Sequence, residues 1–299
     1  MQPSLRSPER RGRRRPLRRA LTLALLAIAI AHRGAAQPVS EYGPAKGTLL
    51  IVGGGNLHGS GIHEKFITLA GGPGAKIVVV PTAGGNRRPD GTPITYQADS
   101  VLAFWRKLGL TNVHMLHTAD PKVADNPEFA AVLADTKAVW FAGGRQWNLV
   151  DSYANTRTEK AFHTVLERGG VIGGSSAGAS IQGDFLVRGA VAGAQLMIAP
   201  EPEHLKGFAF LRKSAIDQHI DTRNRWNDLQ QVMPKYPTYI GIGLNEATAI
   251  VVTGDRFEVM GKAQVAVHDL THPRPPGEKP FITLQAGDRY DLKQREVIR

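Results

Sequence analysis

The run GGVIGGSSAGAS at positions 169–180 leaves the backbone few choices. Val171 and Ile172 suit a buried strand, and after them no side chain in the run is larger than that of serine. Such a stretch fits a strand that turns sharply into a helix pressed against neighbouring backbone, because only small residues let main chains approach so closely. Within it, Gly174-Ser175-Ser176-Ala177-Gly178 matches the G-x-S-x-G nucleophile elbow. A serine at the middle position projects its hydroxyl at the carboxyl edge of a sheet, and the helix start that follows aims backbone N–H groups at a developing oxyanion. Ser176 is therefore the candidate nucleophile. Ser175 lies at the wrong offset from both glycines. Taken alone, the five residues fit equally well a structural Gly-rich turn or a phosphate cradle.

The rest of the chain extends the strand-turn-helix pattern. Short apolar, often β-branched runs stand at 48–52, 77–80, 113–116, 138–141 and 171–172, mostly with room for a helix between them. This spacing indicates βαβ units, hence an α/β fold of three layers, a mostly parallel sheet with helices on both faces. Apolar residues at helical intervals predict helices over 98–108 and 158–168, with Gly169 placed to end the second. From Gly241 onward the runs GIGLNEATAIVV, RFEVMG and AQVAVHDL are separated by short polar or Gly-containing turns, which predicts C-terminal antiparallel hairpins. Gly53-Gly54-Gly55 lacks the G-x-G-x-x-G spacing and reads as close backbone packing near the site. The expected organisation is one domain over 45–299, joined by a short linker at 37–44 to the leader described next.

Residues 1–36 carry nine Arg against one Glu, then the run ALTLALLAIAIA, then Gly34-Ala35-Ala36. A basic region, a short apolar stretch and small residues are the parts of a signal peptide, with cleavage expected after Ala36. The alternative, an uncleaved anchor, is disfavoured because twelve residues fall short of the roughly 20 needed to cross a bilayer. The chain is thus expected to be exported, periplasmic or extracellular, with no stable membrane anchor after cleavage. The formal charge of +11 drops to +3 once the leader's +8 is removed, which leaves no compositional case for nucleic acid as a partner. With no Cys, disulfides, thiolate metal sites and a cysteine nucleophile are all excluded.

A serine nucleophile needs a base. Of ten histidines, one of them in the leader, His219 stands out because Asp217, Gln218, Asp221, Arg223 and Arg225 crowd around it in IDQHIDTRNR. The same stretch also fits a solvated helix start. A third group should orient the imidazole, and Glu246 in GIGLNEATAI is best placed, at the end of a segment that looks buried, where a lone carboxylate would be costly. Asp184, Asp217 and Glu201 are substitutes.

Taken together, TLLIVGGG, VWFAGGRQWNLV, GGVIGGSSAGAS, IDQHIDTRNR and GIGLNEATAIVV resemble, in order and over residues 48–252, the cyanophycinase branch of a serine peptidase family that also holds aspartyl dipeptidase. The resemblance implies a class I glutamine amidotransferase-like (flavodoxin-like) fold, Ser176 as nucleophile, His219 as base and an acid such as Glu246. It further implies an oxyanion hole from the Ala177 N–H and the Gly143-Gly144 loop, with substrate contacts at Gln146, Asp217, Gln218, Arg223 and Arg225. One position departs: where similar cyanophycinases carry a third arginine, this chain has Asp228.

The expected activity is hydrolysis of β-aspartyl (isopeptide) or related aspartyl bonds in a peptide or dipeptide, with no metal or organic cofactor, and with a homodimer as the assembly left open. Asp228 is expected to disfavour a second substrate carboxylate and to tolerate a basic or neutral group. Two competing expectations remain. An α/β-hydrolase-type esterase would need a late base such as His268 or His272. A catalytically silent exported binding protein would keep the pocket without the chemistry.

Overall fold

A computed structural model describes residues 40–299, so the leader and its expected cleavage point lie outside the described residues. Five parallel strands form the heart of a large sheet: β1 (Thr48–Val52), β2 (Ile77–Val80), β3 (Val113–Met115), β4 (Ala138–Phe141) and β5 (Val171–Ser175), in the spatial order β1-β5-β4-β2-β3. Alternation along these strands sorts their side chains to two faces. Leu50, Val52, Val79 and Trp140 meet Ile62 and Phe66 of α1 (Ile62–Ala70) and Leu102 and Trp105 of α2 (Ala98–Lys107). Leu49, Ile51, Val80 and Phe141 point the other way. After β3 come two single turns, α3 (Pro121–Ala124) and α4 (Pro127–Ala130), started by the side-chain caps Asp120 and Asn126. On that second face Leu149 and Tyr153 of α5 (Trp147–Tyr153) and Phe162 and Val165 of α6 (Arg157–Glu167) fill the core. The Thr156 side chain caps α6 by accepting from the Glu159 N–H. The expected α/β architecture with helices on both faces is the one observed.

The C-terminal part departs from simple hairpins. After α7 (Ala177–Ser180), strands β6 (Gly183–Phe185), β7 (Leu211–Gln218) and β8 (Ile240–Leu244) pair in parallel and found a second sheet. The chain then crosses to the large sheet, where β9 (Thr248–Thr253) lies antiparallel to β1 and turns through Gly254-Asp255 into β10 (Arg256–Gly261). That is the expected hairpin. The one expected at Gly261-Lys262 does not form. Instead β11 (Gln264–Asp269) returns to the second sheet beside β8, followed by β12 (Ile282–Gln285), while β13 (Arg289–Asp291) and β14 (Glu296–Ile298) extend the large sheet. The physical reason is burial. β8 is buried along its whole length, its residues Ile240, Ile242 and Leu244 joining the core cluster of the α5–α6 face, so it must be an interior strand with a neighbour on each side.

Residues 40–44, expected as linker, are bound to the domain. The Asp255 carboxylate accepts from the Ser40 hydroxyl and from the N–H groups of Glu41 and Tyr42. The Arg212 guanidinium donates to the carbonyls of Ser40, Glu41 and Gly43. With six hydrogen bonds to just two side chains, this segment is fixed in place.

Candidate active site

Ser176 sits between β5 and α7 with φ 59° and ψ −115°, a strained conformation for a residue with a side chain. Its N–H donates to the Val52 carbonyl, which ties the turn to the end of β1. The glycines on either side are required by space. A β-carbon on Gly174 would stand 2.2 Å from the Gly178 carbonyl oxygen, and one on Gly178 would stand 2.1 Å from that of Phe141. The N–H of Ala177, at the first helical position, has no partner within α7.

His219 follows the last residue of β7, also at positive φ (55°), and its N–H donates to the Gly53 carbonyl. The imidazole lies between two partners. Nε2 is 2.9 Å from Ser176 Oγ, and Nδ1 is 2.5 Å from Glu246 Oε1. Glu246 is on the crossing from β8 to β9, where Thr222 Oγ1 donates to the same Oε1 and Asp221 accepts the Glu246 N–H. Burial pushes the His219 imidazole below the ordinary histidine value; the Glu246 hydrogen bond opposes this, and the charges of Arg223 and Arg225 add to the lowering. Burial would raise the Glu246 carboxyl, but hydrogen bonds from His219 and Thr222 outweigh it and hold it below its ordinary value. At neutral pH the pair is thus a neutral imidazole beside a carboxylate. A carboxylate at Nδ1 assigns the proton to that nitrogen, leaving Nε2 to accept the Ser176 hydroxyl proton. The arrangement can activate an alcohol for attack on a carbonyl.

The Gly143-Gly144 loop faces the turn. A β-carbon on Gly143 would lie 3.4 Å from Ser176 Cβ, and one on Gly144, at φ 142°, would collide with the Ala83 carbonyl. The other acids and bases considered lie elsewhere. Asp184 accepts from Tyr239 and the Lys213 N–H, His268 pairs with Gln230, and His272 pairs with Asp269. A cleft of about 590 Å³ lined by Glu159, His163, Phe208 and Phe210 shares no residue with the Ser176 surroundings.

The residues expected to touch substrate divide into two groups. Arg223 is exposed and Arg225 half-buried, the latter donating from Nη1 to the Gln218 carbonyl at 3.3 Å. Asp217 is fully buried, and both its oxygens accept from Arg188 at 2.8 Å. Gln146 is 2% exposed, and its Nε2 donates to the carbonyls of Val187 and Arg188. Asp217 is therefore not a surface that meets substrate, and the Gln146 N–H groups are spent on the protein. The expectation of direct contact is corrected for Asp217: a buried carboxylate needs a counter-charge, and Arg188 supplies it. Gln218 is 5% exposed, with its amide oxygen buried and unpartnered among the described residues. Asp228, expected to face the substrate, gives one oxygen to Arg188 at 2.6 Å.

Residues 49–260 match the model of peptidase family S51. The chain belongs to this family. A cyanophycinase from Geminocystis herdmanii is 26% identical over 270 residues, covering 85% of this chain and 96% of that one. Another, from Synechococcus elongatus, is 28% identical over 277 residues, covering 86% and 83%. Among solved structures, a peptidase from an acI-B1 Actinobacterium shares the fold with a TM-score of 0.60 at 24% identity, covering 84% of this chain and 98% of that one. As a member of family S51 the chain is a serine-type, peptidase-like hydrolase.

Sequence reasoning missed Arg188, which pairs with Asp217 and Asp228. The signal was present: in FLVRGAVAGA a single arginine stands within an apolar, small-residue run. A guanidinium placed there must either leave the core or find a carboxylate inside it. Thr222 was also missed. No spacing rule would have linked it to Glu246, because their meeting depends on the crossing between the two sheets.

Proposed function

We propose that the chain is an exported serine exopeptidase-like hydrolase that cleaves β-aspartyl (isopeptide) or related aspartyl bonds. The observation that carries the reading is the hydrogen-bonded chain Ser176 Oγ, His219, Glu246. In this mechanism His219 Nε2 takes the Ser176 proton as Oγ attacks the substrate carbonyl. Glu246 holds the tautomer and stabilises the imidazolium that forms. The oxyanion develops against the N–H of Ala177 and that of Gly144. The imidazolium then gives its proton to the leaving amine, and water, deprotonated by the same histidine, releases the acyl group. Export is supported by the composition of residues 1–36, and substrate class by the cyanophycinase relatives together with two arginines, Arg223 and Arg225, near the base. Arg225 would present its planar fork to the free α-carboxylate of a β-aspartyl group.

The test is a substrate panel with purified protein lacking residues 1–36: cyanophycin, β-Asp-Arg, β-Asp-Leu and the matching α-aspartyl dipeptides. Release of amino acid from at least one β-aspartyl compound, and not from its α-isomer, is the expected result. Cleavage of only the α-isomers would overturn the β-aspartyl reading.

A further inference from the structure

Arg188 is 2% exposed, yet its guanidinium makes four hydrogen bonds within the protein. Nε and Nη2 donate to the two oxygens of Asp217, Nη2 donates again to Asp228, and Nη1 donates to the Ala194 carbonyl. Its backbone completes the knot, the N–H donating to the Met197 carbonyl and the carbonyl accepting from Gln146. Two carboxylates around one guanidinium form an acidic pocket that already holds its cation. That pocket borders the reacting groups: Asp217 stands two residues before His219, and Gln146 two residues after Gly144. The Asp228 N–H donates to the Arg225 carbonyl, so Arg225 lies on the same turn.

We propose that Arg188 is a built-in guanidinium that fills the acidic pair Asp217 and Asp228 from within the chain, so that the site accepts a carboxylate or neutral group beside the cleaved bond and rejects a basic side chain. This rests on the hydrolase reading above. A substrate cation would have to displace a bidentate intramolecular partner that pays no association cost. It would also approach past Arg223 and Arg225, whose charges repel it and attract an anion.

The experiment has two arms. In the first, wild-type kcat/KM is expected to be at least tenfold higher for β-Asp-Leu and β-Asp-Glu than for β-Asp-Arg and β-Asp-Lys; equal values overturn the proposal. In the second, Arg188→Ala vacates the pocket and is heated with methylguanidinium or methylammonium chloride at equal concentrations. A saturable rise in Tm with methylguanidinium alone, absent from wild type, is expected, together with a gain of at least tenfold on β-Asp-Arg. Because this variant leaves Asp217 buried and unpaired, it is also refolded in both salts. Recovery only with methylguanidinium supports the proposal, and no difference between the salts overturns it. A wild type that cleaves none of the β-aspartyl compounds would count against the hydrolase reading, and the methylguanidinium arm would still decide the role of Arg188.

Discussion

A β-carbon on Gly54 would stand 2.3 Å from Cε1 of His219, inside the space the imidazole occupies. Gly54 also has φ 101°, and its carbonyl accepts the N–H of Ala247, next to Glu246. Its neighbour Gly55 is equally constrained, since a β-carbon there would lie 2.4 Å from Glu246 Oε2. The glycine run after β1 is thus the floor on which His219 and Glu246 rest. Gly54→Ala should displace the ring, and a misplacement of about 1 Å costs on the order of 100-fold in rate. A drop of that size in kcat, with the variant still folded by circular dichroism, is the expected outcome.

The second prediction concerns pH. A base works only when deprotonated, so activity is present above the His219 pKa and lost as pH falls through it. Because burial lowers that pKa, the acid limb of kcat/KM should fall below the ordinary histidine value of about 6.5. Glu246→Gln removes the group that opposes the lowering and that holds the tautomer. It should move the limb to still lower pH and reduce kcat by roughly 10⁴-fold, as loss of the carboxylate does in related triads. Stopped assays from pH 4 to 9 on both proteins measure the two effects together.

Asp228→Arg supplies the third. This substitution would place an arginine where similar cyanophycinases carry one. The observed ion pair opposes it, because the new cation would face Arg188 and leave it with one carboxylate instead of two. Losing a charge-assisted hydrogen bond costs about 1.5 to 3 kcal/mol, which for a domain of this size corresponds to a fall in Tm of about 3 °C or more. Asp228→Asn should cost less, since it keeps an acceptor without adding repulsion. Differential scanning calorimetry of the three proteins checks the order.

The parts of the fold written in local pattern were readable in the chain. Runs such as Leu49 to Val52 and Val78 to Val80 announce interior parallel strands, and the residues from Gly174 to Gly178 announce a turn that only small side chains permit. The second sheet was not readable, because nothing local in GIGLNEATAIVV says that its first four residues pair with β7 and β11 while its last belong beside β1. The site followed the same division. Ser176, His219 and Glu246 were named from motif, polar clustering and burial cost, and they meet in one hydrogen-bonded chain. The lone arginine in FLVRGAVAGA points to a buried counter-charge, but its two carboxylates lie 29 and 40 positions away, so no local pattern names them.

The most direct test of the account is peptide mapping by mass spectrometry after treatment with a fluorophosphonate. A nucleophile activated by His219 should give one adduct per chain, on Ser176. Ser175→Ala should label normally, and His219→Ala should label far more slowly. An adduct on Ser175, or no adduct on folded wild-type protein, would contradict the assignment of Ser176 as the activated nucleophile.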